Sequence, residues 1–401
     1  MLYQMKGNIM KKNVFSILMV AVKYEDGGAP RSMKEMILNL KNNYGVNVTV
    51  AVCNDELIAE WCRENKIPYV VSGHDTFVCV KEKGIKQYIK RFLRIPVVYY
   101  RNKKALKIVE KNIDLKNVDI VHTNSNRDNF GAIIAKKHHI PHVWHLREYG
   151  KEDYDTRFVF PFSIPFMNNT TRRFLAISDG VKNTWINRGI SKEKIIRVYN
   201  GINTSTILKK CDYKMSEEPI RIVFAGSLFR FKGQLELIKA LAQLRNEIKK
   251  NLSVDFYYEG IDPIYESELK DQVAHNNLQA NCNFLGAVSN VGQLLKKYDI
   301  GITCSKSEAF GRVTVEYMAA GLITIASNAG ANPEIIDDKK NGFLYKYGNP
   351  ESLSRILEKV YFLAEKEKAD IGKAAIEKVE HSFTDIINAQ NVYAIYEDLV
   401  V

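Results

Sequence analysis

Two carboxylates, Glu308 and Glu316, stand eight positions apart in SEAFGRVTVE, with Phe310-Gly311 between them. The preceding apolar run, YDIGITC, reads as a buried strand ending near Ser305. Glu308 then falls in a loop. Gly311 permits a tight turn or close ligand approach. A helix is predicted to start near Arg312, with Val315, Met318 and Ala319 on one side. Eight helical residues rise ~12 Å, about the reach of a nucleoside diphosphate from its ribose to an attached sugar. The amides of Gly311, Arg312 and Val313 would face a diphosphate lying between the carboxylates. Each carboxylate accepts two hydroxyl hydrogen bonds, which suits vicinal diols. The bland alternative is a helix-terminal charge plus an exposed helix position, and spacing alone leaves both open.

Three other places invite the same chemistry. In AGSLFRFKGQLELI, Gly226 closes a strand, Ser227 and Arg230 follow in the loop, and Lys232-Gly233 opens a helix. Lys232 there can neutralise a leaving diphosphate, or be a plain surface lysine. Gly27-Gly28 follows the first strand and would let backbone approach a phosphate or sugar. It is no G-x-G-x-x-G fingerprint, which argues against a dinucleotide enzyme. In VWHLRE, His145 is expected to end a strand at the cleft edge, with Arg147 and Glu148 close behind. His122, ending VDIVH, is open to the same reading or a structural one.

These residues need a scaffold that gathers strand ends. The apolar run Val14–Val22 reads as a first strand, although its length also fits the core of a signal peptide; no small-residue cleavage site follows. A helix with Met33, Met36, Ile37 and Leu40 at helical spacing comes next, then a strand at Val46–Val52. Strand and helix keep alternating, and the pattern restarts near residue 220 with IRIVFAGS. That implies an α/β fold of two facing, doubly wound, Rossmann-like parallel-sheet domains with a cleft between them. The expected halves are residues 1–205 and 206–380, joined by a polar linker after Asn200-Gly201. A last helix over 385–400 is expected to pack back on the first half. Ligands of such sheets bind at the carboxyl ends of strands.

The chain has 401 residues, 46% hydrophobic and 26% charged, which suits two soluble domains. Six cysteines without C-x-x-C spacing argue against zinc sites and a disulfide framework, and a reducing cytoplasm is the expected home. The net charge of +12 is uneven. Residues 81–111 carry eleven Lys/Arg against Glu82 and Glu110, interleaved with Tyr88, Phe92, Leu93, Tyr99 and Tyr100. Such a stretch is either a solvated helix face or a contact with an anionic membrane, made through Lys90, Arg91 and Arg94. Without a nucleic-acid motif, a nucleic-acid partner is not expected.

Together the motifs resemble the retaining glycosyltransferases of family 4, which have the GT-B fold. Glu308-Ala-Phe-Gly-Arg-Val-Thr-Val-Glu316 matches the family's E-x(7)-E motif, and YMAAGLITIASNAGANPE follows it with Gly330 and Glu334 in register. Gly342-Phe343-Leu344 resembles the G-F-L signature, and AISDGVKNTWINRGISKEKIIRVYNGI the run into the linker. By that resemblance, Glu308 would hold hydroxyls of the transferred sugar and Glu316 the ribose. Lys232 would neutralise the diphosphate. Backbone at Phe310-Gly311 would meet sugar or diphosphate, His145 would sit beside the reacting sugar, and Gly28 near donor phosphate and acceptor. One departure is Ser227, where the family often has an arginine; Arg230 or Arg312 is the candidate replacement.

The implied reaction is sugar transfer, with retention, from a nucleotide diphosphate sugar (UDP favoured) to an acceptor hydroxyl. The acceptor is expected to be a lipid-linked saccharide in surface polysaccharide or glycan assembly. Arg147 is expected on the acceptor or membrane side. No cofactor is implied, and no metal, since no D-x-D-like motif ends a strand. The work would be done at the inner face of the cell membrane. A nucleotide-sugar epimerase or phosphorylase-like enzyme on the same fold, and a two-lobed binding module, are the alternatives.

Overall fold

The computed structural model describes residues 14–22, 27–80, 86–154, 156–210, 219–288 and 290–400. The start of the basic segment, residues 81–85, and linker residues 211–218 lie outside this set.

The first half lays down β1 (Ser16–Val20), β2 (Asn47–Val52), β3 (Tyr69–Val71), β4 (Val78–Val80), β5 (Ile120–Thr123), β6 (His142–Leu146), β7 (Thr156–Phe158), β8 (Arg173–Ala176) and β9 (Ile195–Arg197). Seven of these form a sheet in the order β3-β2-β1-β5-β6-β8-β9, every pair parallel. Strand β1 sits between β2 and β5, with Ile17 opposite Val48 and Ile120. Strands β4 and β7 make a separate antiparallel ribbon.

The second half contributes β10 (Ile220–Ala225), β11 (Leu252–Tyr257), β12 (Cys282–Gly286), β13 (Ile300–Thr303), β14 (Ile323–Ser327) and β15 (Phe343–Tyr345). They form a parallel sheet ordered β12-β11-β10-β13-β14-β15. The chain is thus two doubly wound, Rossmann-like α/β halves. The order reverses beside β1 and β10, the switch points where such sheets bind ligands.

Central strands of parallel sheets are covered on both faces and read as apolar runs. All four residues of β13 are buried, as are all five of β14. The helix Gly28–Tyr44 buries Met33, Met36, Ile37 and Leu40 against β1 and β2. It ends at Gly45 in the left-handed region.

The linker and the last helix tie the halves together. Ile202 pairs with Thr384 as an isolated bridge, its amide donating to Phe383 O at 2.9 Å. The helix Asp385–Val400 then runs over the first half, where Val392, Tyr393 and Tyr396 join the core of Phe15, Ile17 and Met33.

Candidate active site

A cavity of about 740 Å³ opens between the halves. The second half lines it with Ala225, Gly226 and Ser227 at the end of β10, the Tyr257–Gly260 turn after β11, and Arg312, Val313 and Glu316 on the helix Arg312–Ala319. The first half supplies Gly27, Arg31 and Glu35, from the start of its first helix.

Lys232 and Glu308 form one element of the site. Lys232 Nζ lies 2.6 Å from Glu308 Oε1, and Ser305 Oγ donates to the same oxygen at 2.7 Å. Gly233 makes this possible. Its φ is +79°, and a Cβ there would fall 2.2 Å from the carbonyl of Cys304. Only glycine lets the Lys232 turn press against the end of β13. Gly330 has the matching role on the other side: a Cβ would meet Glu308 N at 2.3 Å, and Ala331 N donates to Glu308 O at 2.8 Å. Burial alone would raise the Glu308 pKa. The Lys232 ammonium and the Ser305 hydroxyl outweigh it and hold the carboxyl below its usual range. An ionised carboxylate is acceptor-only, the state that takes sugar hydroxyls.

Glu316 is the second element. Arg312 Nε reaches it at 3.0 Å from one turn earlier, and Arg31 of the other half lies 4.0 Å away. Burial raises the Glu316 pKa, with both arginines pulling against it. Arg312 also forks onto Glu35, Nη2 to Oε1 at 2.7 Å and Nη1 to Oε2 at 2.9 Å. Glu35, Arg312, Glu316 and Arg31 therefore alternate in sign across the cleft.

Two more contacts hold the halves together. Tyr149 OH donates to Glu308 O at 3.5 Å. Glu334 accepts from Asp179 N at 2.7 Å and Gly180 N at 2.8 Å, an anion at the start of the helix Asp179–Asn187.

The remaining expected site residues are placed as follows. Gly28 begins the first helix, beside the cavity wall at Gly27. Gly311 caps the helix that carries Glu316, with φ +84°. Phe310 sends its ring into the core between Tyr199 and Phe383 and does not line the cavity. Arg230 is turned away: its Nη2 lies 2.5 Å from Glu268 and its guanidinium stacks over Tyr265. Of the two candidates for the cation absent at Ser227, only Arg312 lines the cavity.

Other expectations are corrected. His145 does not sit at the cleft edge: it is 0% exposed, and among the described residues neither of its ring nitrogens has a hydrogen-bond partner. The cause is its place on β6, between β5 and β8, where both faces of the sheet are covered. It stacks on His122, whose Nδ1 meets Tyr396 OH at 2.5 Å. Burial drives the His145 pKa well below its usual value, and Arg147 and His122 add to this. Arg147 is not on an acceptor or membrane surface. It is 3% exposed and donates to Asn124 and, through Nη1, to Asn200 Oδ1 at 2.6 Å, tying the end of β6 to the linker. Arg91 and Arg94 turn inward from the long helix Lys86–Asn112. Arg91 Nε donates to Val159 O at 3.1 Å, and Arg94 Nη2 to Thr76 Oγ1 at 3.1 Å beside Asp75. Lys90 is exposed, and so are Phe92 (74%), Leu93 (62%) and Tyr100 (70%).

Arg31 and Glu35 are site residues that the sequence reading missed. Their signal was available: they lie four apart on the helix that Gly27-Gly28 opens, so they share one face next to the expected phosphate loop.

Family models match both halves: one described as Glycosyltransferase Family 4 over residues 27–206, the other as Glycosyl transferases group 1 over residues 209–378. The chain belongs to the family 4 glycosyltransferases. Among the family's curated members it is 27% identical over 263 residues to an uncharacterized glycosyltransferase of Methanocaldococcus jannaschii, a stretch covering 63% of this chain and 69% of that protein. It is 26% identical over 252 residues to the N-acetyl-alpha-D-glucosaminyl L-malate synthase of Bacillus anthracis, covering 59% of this chain and 64% of the relative. The matches thus span about two thirds of these relatives' lengths. Among solved structures, HepE of Anabaena in complex with UDP superimposes with a TM-score of 0.75 at 19% identity, covering 96% of this chain and 100% of that one. This likeness shows the GT-B fold.

Proposed function

We propose that the chain moves a sugar, with retained anomeric configuration, from a nucleoside diphosphate sugar to an acceptor hydroxyl. The observation that carries the reading is the cavity between the halves, with Glu316 on its wall and the Lys232–Glu308 pair beside it. Lys232 has three N–H donors and uses one on Glu308, so others remain for a departing diphosphate. Its stem runs next to Gly226, about 4.0 Å from where a Cβ would stand there. Glu308 accepts from hydroxyls of the transferred sugar, and Glu316 from the ribose. Arg312, on the cavity wall, supplies the second cation that Ser227 does not, with Arg31, 59% exposed, on the facing wall.

In this reading the acceptor attacks from the side the diphosphate leaves, and the leaving phosphate takes the acceptor's proton. Catalysis is positioning plus stabilisation of the leaving charge by Lys232 and the amides opening the helix at Arg312. Neither a metal nor a cofactor takes part. His145 acts from behind the site as a positioning residue, through its stacking on His122. The UDP held by HepE makes uridine the base to test first.

The acceptor is a lipid-linked saccharide of surface polysaccharide or glycan assembly, met at the cytoplasmic face of a membrane. Among the described residues, no helix is long and apolar enough to cross a membrane. The exposed Phe92, Leu93 and Tyr100, flanked by Lys90 and Arg101, suit peripheral contact with anionic lipid.

A thermal-shift panel of nucleoside diphosphates and their sugars identifies the donor. The anomeric configuration of the product, read by NMR, then tests retention, and EDTA tests the metal. Donor turned into an epimer without acceptor, or a product of inverted configuration, overturns the reading.

A further inference from the structure

The helix Asp179–Asn187 of the first half is capped from the second half. The first turn of a helix carries amides that the helix itself cannot satisfy. Val181 N donates to Ser178 Oγ at 3.1 Å, within the first half. Asp179 N and Gly180 N donate instead to the two carboxylate oxygens of Glu334, at 2.7 and 2.8 Å. The helix dipole favours an anion at that end. Gly180 leaves the room: a Cβ there would fall 2.5 Å from Tyr149 OH and 3.5 Å from Glu334 Oε1.

Glu334 is in turn joined to Glu308 through a short, fixed path. Its amide donates to Ala331 O at 2.9 Å, and Ala331 N donates to Glu308 O at 2.8 Å. Asn332, between them, is 0% exposed. It donates to Ser327 O at 3.1 Å and accepts from Thr314 Oγ1 at 3.0 Å, which moors the segment to β14 and to the helix that carries Glu316. The same Glu308 carbonyl receives Tyr149 OH, from the first half, at 3.5 Å. The backbone that presents the Glu308 carboxylate is therefore held from the opposite half, by way of one carboxylate and one phenol. The Arg312–Glu35 contact does the equivalent beside Glu316.

We propose that Glu334 is a positioning residue, which sets Glu308 on the transferred sugar when the first half is seated against it. The inference rests on the transferase reading. Glu316 and Glu308 are then aligned by separate cross-cleft contacts, one at each end of the donor. The nucleoside diphosphate depends on the Arg312 end, and the sugar on the Glu334 end. Such positioning acts on the reacting geometry, where a misplacement of ~1 Å can cost about 10²-fold in rate.

The test is hydrogen exchange of the full chain, compared between wild type, Glu334→Gln and Gly180→Ala. Glu334→Gln keeps the shape but turns an amide donor toward one of the two helix amides. Gly180→Ala favours the helix itself, while its methyl group displaces Tyr149 and Glu334 from the first-half side; it keeps the test available where Glu334→Gln does not fold. Each variant should speed exchange on the order of tenfold in residues 179–182 and also in residues 305–312. Faster exchange in 179–182 alone makes Glu334 a helix cap and overturns the proposal, as does no change in either segment. Calorimetric titrations with UDP and UDP-glucose give the second readout. Glu334→Gln should weaken UDP-glucose on the order of tenfold and UDP by less than about twofold. Equal weakening of the two overturns the assignment to the sugar. A wild type that binds neither counts against the transferase reading, and the exchange pattern then judges the positioning role separately.

Discussion

Arg312 and Glu35 meet across the cleft as a two-bond fork, at 2.7 and 2.9 Å, each less than one-fifth exposed. One sits at the start of the helix that carries Glu316, the other on the first helix of the opposite half. The fork ties the two halves together. It also aims Arg312 so that its Nε reaches Glu316.

Glu35→Gln should loosen closure. Hydrogen bonds to charged groups contribute about 1.5–3 kcal/mol. Donor binding should therefore weaken on the order of tenfold or somewhat more, and the radius of gyration in solution scattering should rise. An unchanged radius with unchanged affinity would mean the fork does not govern closure.

Lys232→Ala should lower kcat on the order of 10²–10³-fold, the usual cost of removing one stabiliser of transition-state charge. It should also move the acid limb of the pH–rate profile. Lys232 keeps the Glu308 pKa low, so removing it raises that pKa. Activity that needs the carboxylate then fades at a higher pH than in the wild type. The check is a pair of pH–rate curves.

The two glutamates should separate by ligand. Glu308→Gln should weaken the nucleotide sugar more than the bare nucleoside diphosphate if, as proposed, its partner is the sugar. Glu316→Gln should weaken both alike, by roughly tenfold for a lost charged hydrogen bond. Calorimetry with the two ligands decides, and the reverse pattern would exchange the assignments.

Stability should fall in mild acid. His122, His142 and His145 are fully buried, and burial lowers all three pKa values, that of His142 to about 3. They stay neutral when folded and charge near 6.5 when unfolded. Their contribution is complete above pH 6.5 and is lost as the pH drops, for His142 roughly 2 kcal/mol at pH 5. Glu148 opposes them: burial raises its carboxyl to about 7, so it favours the fold as the pH falls. His74 opposes them too, its burial outweighed by Asp128 so that its pKa rises, and so do Asp153 and Glu316, whose pKa values burial raises. The three deeply buried neutral histidines set the direction, and Tm should drop between pH 7 and pH 5. Glu148→Gln removes one opposing group, so the drop should steepen.

Membrane contact should depend on the outer face of the Lys86–Asn112 helix. Phe92→Ser with Leu93→Ser should reduce flotation with anionic vesicles. Each buried CH₂ is worth about 0.8 kcal/mol, so the loss should be at least tenfold in partitioning. Neutral vesicles should bind little in either case.

Much of this architecture could be read from the chain, and the exceptions have physical causes. The strand β13 and the helix after Gly311 are legible because one is a continuous apolar run and the other starts at a glycine before a periodic stretch. Strands β9 and β15, three residues each, are too short to carry a period. Glu308 and Lys232 are legible as residue types. Their pairing is not, because it joins positions 76 apart through the close approach of Gly233 to Cys304. His145 misled because VWHL ends like a strand at a cleft. Which strands flank it, and which helix covers it, is long-range information. Arg94 misled for a similar reason. Charge along a helix is visible locally, but Asp75, which draws Arg94 inward, lies on another segment.

The crossing of the Asp385–Val400 helix onto the first half has a consequence for biosynthesis. When residue 205 leaves the ribosome, the core around Phe15, Met33 and Ile37 still lacks Val392, Tyr393 and Tyr396. At ~5–20 residues per second, roughly 10–40 s pass before those side chains are made. During that interval the nascent first half shows a greasy strip to solvent, a natural handle for chaperones.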